Sequence, residues 1–315
     1  MVGPGKAVWL CPGQGTQKVG MGKDLAARFP AARMVFDAID EALGFPLSQL
    51  MFEGPEDALA ATHNAQPAIL AHSAAVFAVL GPAAGAAAAA AGHSLGEYSA
   101  YVAAGALTAA NAAVVVRQRG DLMQRAGQDR PGTMAAVLGL PAADVAAACH
   151  EASAKDAIAV PANLNTLDQT VISGDPEAVR KAGEACRARG AKRVIELKVS
   201  GAFHSPLMGP AASRLRVVLD KAAFAAPQFP VIANATAESV TTAARARRLL
   251  VDQLTAPVRW VECVEQAARI AGDGARFIEI GPGNVLAGLL KRILPEPTVV
   301  SVGTADEVAQ FLEAA

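Results

Sequence analysis

Apolar and polar positions change period several times along the chain, and each change marks an element. Ala7-Val8-Trp9-Leu10-Cys11 is an unbroken apolar run, the pattern of a strand buried on both faces, and it ends at the turn Pro12-Gly13-Gln14-Gly15. Helical spacing follows over residues 30–43 and 66–80. The six alanines Ala86 to Ala91 carry no period. Propensity favours a helix there, but the run meets Gly92-His93-Ser94-Leu95-Gly96, and that continuation predicts a strand entering a tight turn. Helices are expected over residues 95–104 and 109–126, the second interrupted at Arg117-Gln118-Arg119-Gly120.

Residues 131–198 have a rhythm of their own, opening after the turn-rich linker Gln128-Asp129-Arg130-Pro131-Gly132. A strand over Met134–Leu138 precedes a helix with Asp144 as its cap. A strand over Ala157–Val160, a polar loop from Asn163 to Gln169 and a strand over Thr170–Ser173 follow. A helix over Pro176–Arg189 and a strand over Arg193–Val199 complete the set. That βαββαβ order is ferredoxin-like. The larger pattern then resumes with helices over 206–222 and 242–254, a strand over Arg276–Ile280, the turn Gly281-Pro282-Gly283-Asn284 and an apolar helix over 285–293. The prediction is an α/β protein with a largely parallel sheet. Its large domain covers residues 1–130 and 199–315, and a small domain, 131–198, is inserted in it.

Composition narrows the functional classes. The 28 basic and 29 acidic side chains nearly cancel, which leaves no excess charge for a nucleic-acid backbone. The segment Met1–Lys6 has neither the apolar stretch nor the cleavage site of a signal peptide, and no apolar run has the length and bulk of a membrane helix. Cys11, Cys149, Cys186 and Cys263 are far apart and show no CxxC spacing, so neither a disulfide framework nor a metal site is expected and a cytoplasmic setting fits.

Gly92-His93-Ser94-Leu95-Gly96 has the GxSxG form of a nucleophile elbow, in which small residues on either side let the chain turn sharply enough to expose the serine hydroxyl. An ordinary strand-to-helix turn in a glycine-rich chain is the competing reading. A serine nucleophile needs a base. His63 and His72 lie beside a helical, alanine-rich segment, His150 lies on a helix of the small domain, and His93 adjoins Ser94 on a turn where neighbouring side chains diverge. His204, in Gly201-Ala202-Phe203-His204-Ser205 at a strand's exit, is the base by elimination. No Asp or Glu stands out to orient it, so a Ser–His dyad steadied by backbone carbonyls is expected. Pro12-Gly13-Gln14-Gly15 lacks the ending of a phosphate loop; it is either a tight turn or a source of a backbone N–H facing Leu95 across an oxyanion. Arg117 and Arg119 are either a surface pair or, in a cleft, a fork for a carboxylate.

These segments together resemble the malonyl-CoA:acyl carrier protein transacylase family, to which the acyltransferase domains of polyketide synthases are related. The resemblance runs from Pro12-Gly13-Gln14-Gly15 to Gly281-Pro282-Gly283. It is most specific at Gly92-His93-Ser94-Leu95-Gly96-Glu97-Tyr98-Ser99-Ala100, and it includes Arg119-Gly120-Asp121-Leu122-Met123-Gln124, Asn163-Leu164-Asn165 and the segment from Gln253 to Trp260. It implies an α/β-hydrolase-like large domain with a ferredoxin-like small one and the active site between them. It further implies Ser94 as nucleophile, His204 as base, Gln14 and Leu95 as backbone oxyanion donors, and Arg119 as carboxylate clamp. By the same analogy Phe203 crowds the substrate's α-carbon, and Gln253 and Asn163 hold the dyad. The chain departs from the family's usual phenylalanine at Cys11. The implied reaction carries malonyl from coenzyme A to the phosphopantetheine thiol of acyl carrier protein, in fatty-acid biosynthesis, without metal or cofactor. Service to a polyketide synthase, or acyl-thioester hydrolysis on the same scaffold, are the alternatives.

Overall fold

The computed structural model describes residues 7–84 and 87–314; Met1–Lys6 and Ala86, the first residue of the predicted alanine strand, lie outside them. The ten strands among the described residues are β1 (Ala7–Cys11), β2 (Ala87–Gly92), β3 (Thr133–Leu138), β4 (Ala159–Thr166), β5 (Gln169–Gly174), β6 (Arg193–Glu196), β7 (Val231–Ile232), β8 (Ser239–Val240), β9 (Arg276–Ile280) and β10 (Thr298–Val302). One sheet has the order β10-β9-β1-β2-β7-β8 and is parallel except at β7–β8. The other, β4-β5-β3-β6, is antiparallel throughout. With helices packed on both sheets, the chain is a mixed α/β protein.

The alanine run is a strand because tertiary packing overrides its local propensity. β2 lies between β1 and β7, and Ala89, Ala90 and Ala91 are fully buried. Ala87 and Ala90 face the apolar cluster that includes Tyr98 and Ala100 of the helix Gly96–Ala103, which packs on β2. Ala89 and Ala91 pack on the other side with Trp260, Cys263 and Val264 of the helix Trp260–Ala271. Methyl-sized side chains bring both helices close to the strand that carries the GxSxG turn.

The second sheet has its own apolar cluster, with Val137 from β3, Ile172 from β5, and Cys149 and Cys186 from the helices Ala142–Ala152 and Pro176–Ala188. The elements follow the predicted order, but several boundaries differ. The predicted loop from Asn163 is strand: β4 continues to Thr166 because Leu164 and Thr166 pair with Thr170 and Gln169, and only Leu167-Asp168 turns. Asp144 lies in the first turn of its helix, whose N-cap is Pro141, and β6 ends at Glu196. The helix Ala109–Asp129 is uninterrupted at Arg117–Gly120 and takes in Gln128 and Asp129 of the predicted linker. Gly120 is there for packing: a Cβ on it would lie 2.6 Å from the His63 Cα on the helix Thr62–Leu80. The periodicity does not indicate Trp260–Ala271, β7, β8, β10 or the terminal helix Ala305–Ala314. No helix among the described residues is long and apolar enough to cross a membrane.

Because β1, β2, β7 and β9 run parallel, their carboxyl ends open on one edge, where Pro12, His93, Ala233 and Gly281 begin the following loops. Such edges are where α/β sheets gather reacting groups.

Candidate active site

Ser94 leaves β2 with φ 52°, a left-handed backbone that a non-glycine residue holds only under constraint. The flanking glycines make the turn sterically possible. A Cβ on Gly92 would lie 1.9 Å from the Gly96 carbonyl, and one on Gly96 would lie 2.0 Å from the Cys11 oxygen. The turn is also tied down by Asn234, at the exit of β7. Its Oδ1 accepts from the Ser94 N–H at 2.7 Å, and its Nδ2 donates to the Gly92 oxygen at 2.8 Å.

The Ser94 hydroxyl lies 2.8 Å from His204 Nε2, and His204 Nδ1 lies 2.9 Å from the Gln253 carbonyl oxygen. A carbonyl only accepts, so Nδ1 carries the proton and Nε2 is left to receive one from serine. The dyad is therefore oriented by a backbone carbonyl, without a carboxylate. His204 is buried, and that burial, followed by the nearby Arg119 charge, holds its pKa down to about 3. The imidazole is neutral at physiological pH. Its own backbone, at φ 56°, is a second left-handed position in the site.

Arg119 is not a surface residue: it is 1% exposed and lines the same cleft as Ser94. Nη1 donates to Gln66 Oε1 at 2.7 Å, and Nη2 donates to Gln253 Oε1 at 2.9 Å and to Ser94 Oγ at 3.2 Å. These partners are two amides and a hydroxyl, none of them charged. Nε has no partner among the described residues, and an unpaired buried donor favours an incoming acceptor. Arg117 points elsewhere, stacking over Phe45 at 4.8 Å and pairing with Asp121.

The cleft has a volume of about 350 Å³, and Gln14, Leu95, Asn163 and Phe203 also line it. The backbone N–H groups of Gln14 and Leu95 have no hydrogen-bond partner among the described residues. Phe203 is buried, next in the chain to His204. Gln253 is fully buried and central: its carbonyl holds His204, while its Nε2 donates to the Ser94 carbonyl at 3.0 Å and to Glu97 Oε2 at 2.6 Å. Asn163 is on the cleft wall in β4 but bonds neither member of the dyad, and its Oδ1 is buried without a partner among the described residues. The supporting asparagine of β4 is instead Asn165, whose Oδ1 lies 2.8 Å from His93 Nε2 and steadies the residue before Ser94.

Sequence reasoning misses Asn234 and Glu97. Asn234 follows the short apolar stretch Val231-Ile232-Ala233, and a polar residue at a strand's exit is the signal that could have found it. Glu97 belongs to the recognised motif, and a charge in a run of small, buried residues is the sign of its buried role. Cys11 ends β1 fully buried, its thiol pushed far up by that burial, and takes no part in the site.

A family model described as the acyl transferase domain matches residues 8–313. The chain is 43% identical over 303 residues to a malonyl CoA-acyl carrier protein transacylase of Bacillus subtilis, covering 96% of this chain and 95% of that one. It is 43% identical over 307 residues to the Escherichia coli K12 protein of the same name, covering 97% and 98%. Among solved structures, a malonyl-transacylase in complex with its type II PKS acyl-carrier protein superposes with a TM-score of 0.92 at 42% identity, covering 98% of this chain and all of that one. A serine–histidine pair on a strained turn with a buried arginine beside it thus coincides with a match over nearly the whole length, and the chain belongs to the acyl transferase domain family.

Proposed function

We propose that this protein transfers malonyl from malonyl-CoA to the phosphopantetheine thiol of acyl carrier protein, by a ping-pong route through an ester on Ser94. The observation that carries the reading is the placement of a buried arginine fork within hydrogen-bond reach of the serine that also contacts the histidine. Ser94 Oγ attacks the thioester carbonyl as its proton passes to His204 Nε2, and the imidazolium returns that proton to the departing CoA sulfur. In the second half-reaction the carrier-protein thiol gives its proton to His204 and attacks the ester, and Ser94 recovers its hydroxyl hydrogen. The N–H groups of Gln14 and Leu95 are the oxyanion donors in this reading, and Arg119 takes the distal carboxylate of malonyl. Phe203 bounds the space beside the α-carbon, and Gln253 orients the dyad. The chemistry exchanges one thioester for another and calls on no metal or redox group.

The same reading extends to architecture. The parallel sheet with its serine turn is an α/β-hydrolase-like large domain, residues 1–130 and 199–315, and residues 131–198 are an inserted ferredoxin-like domain. The strand order β4-β5-β3-β6 and the separate apolar cluster support the second assignment. Four free, buried cysteines are in keeping with a cytoplasmic protein of fatty-acid biosynthesis. The similarity to a transacylase bound to a type II PKS carrier protein supports a second reading, service to a polyketide synthase with the same chemistry.

Incubation with malonyl-CoA and a carrier protein bearing phosphopantetheine is expected to give malonyl carrier protein as the main product. Free malonate as the main product, with the carrier protein left unloaded, would replace transfer by thioester hydrolysis.

A further inference from the structure

Glu97 is a fully buried carboxyl group beside the site that the mechanism leaves unused. It sits in the first turn of the helix that begins after the serine turn, with no exposed surface. Oε2 accepts from the Asn234 N–H at 2.9 Å and from Gln253 Nε2 at 2.6 Å. Oε1 has no partner among the described residues. The amide of Gln253 therefore links a guanidinium and a carboxyl group: its oxygen takes a hydrogen bond from Arg119 Nη2 and its nitrogen gives one to Glu97. Glu97 is thus one amide away from a guanidinium whose direct partners are all uncharged.

Resting on the malonyl-transfer reading, we infer that Glu97 is a positioning residue whose ionisation sets the selectivity of Arg119 for a carboxylate-bearing acyl group. A malonyl carboxylate arriving at Arg119 brings a second negative charge into a buried space that already holds Glu97. With Glu97 ionised the two carboxylates repel each other, and with Glu97 protonated the substrate faces Arg119 alone. By linkage, whatever Glu97 ionisation costs malonyl binding, malonyl binding costs Glu97 ionisation by the same factor.

The surroundings isolate this group near neutrality. Burial raises the Glu97 pKa to about 7, against the lowering effects of the Asn234 and Gln253 hydrogen bonds and the Arg119 charge. The titratable groups that face it are Arg119 from the helix Ala109–Asp129, Tyr98 and Tyr101 on its own helix, and Cys263 from the helix Trp260–Ala271. Burial pushes both tyrosines and the cysteine well above their usual values, so they stay neutral, and Arg119 stays charged. His204, held down to about 3, does not titrate in that range either.

The test is the ratio of malonyl to acetyl acylation efficiency, kcat/KM for CoA release, followed from about pH 6 to about pH 8.5, a window that brackets the Glu97 transition. Steps common to both substrates cancel in the ratio. It is expected to fall as pH rises through about 7, by about fivefold to tenfold, the low end of couplings between sites. Glu97→Gln keeps an acceptor for Asn234 and Gln253 without the charge, and in it the ratio should be flat at the wild-type low-pH value. A flat ratio in the wild type, or a fall that persists in Glu97→Gln, overturns the inference. Should the variant not fold, difference infrared spectroscopy reads the wild type directly. Malonylation, and not acetylation, should convert a carboxylate band into a protonated-carboxyl band that shifts in D2O, and absence of that conversion is again contrary. Failure of Ser94 to become malonylated at all is a separate result, and it removes the transfer reading instead.

Discussion

Replacing His204 by alanine is expected to slow both half-reactions by about three orders of magnitude, within the roughly 10²–10⁴ that a positioned general base contributes. The two steps should suffer together because one nitrogen, Nε2, sits 2.8 Å from the serine oxygen and no other histidine among the described residues bonds that oxygen. His93 is turned away toward Asn165, and His63 lies against Gln124. CoA release in the absence of carrier protein reports the first step, and loss of the acyl group on adding carrier protein reports the second. Alanine keeps the strained φ of 56° without the Gln253 hydrogen bond, so a thermal melt must accompany the rates. A variant that remains folded and acylates at the wild-type rate would move the base elsewhere.

Arg119→Ala should separate substrates where His204→Ala does not. Malonyl transfer loses a charge-assisted pairing of about 3 kcal/mol, roughly a hundredfold. Acetyl has no carboxylate to lose, and the substitution also removes the positive charge that faces His204 and opposes its protonation. Acetyl transfer is therefore expected to hold or rise. Lysine should rescue malonyl transfer only in part, since a point charge lacks the planar fork. The substitution leaves the amide oxygens of Gln66 and Gln253 without their donor, at about 1–3 kcal/mol each, so rates are compared per folded molecule. Equal loss for both acyl groups would make the arginine structural and remove the basis for malonyl selectivity.

The local chemistry of the site is more legible in the sequence than its support. GxSxG is readable because its glycines answer a steric demand that any sequence must meet, and at Gly92 and Gly96 an added Cβ would collide with backbone. His204 is reached by elimination among five histidines, and a backbone carbonyl as its orienter follows from the lack of a suitable acid. What stays hidden depends on contacts between distant segments. Asn234 reaches the serine N–H across 140 positions, and nothing local in Val231-Ile232-Ala233-Asn234 foretells that partner. Asn163 and Asn165 differ by one strand repeat, and only the course of β4 decides that Asn165 meets His93 while Asn163 bonds neither dyad member. The unbroken helix through Arg117–Gly120 is hidden for a related reason. Gly120 reads locally as a breaker, but it is the residue that lets two helices approach.

The central claim is a malonyl ester on Ser94. Intact-protein mass spectrometry after brief exposure to malonyl-CoA, followed by peptide mapping, tests it most directly. The wild-type protein is expected to gain the mass of one malonyl group on the peptide containing Ser94 and to lose it when carrier-protein thiol is added. Ser94→Ala, still folded, should gain none. An adduct that survives in Ser94→Ala, or maps to another residue in the wild type, would contradict the account.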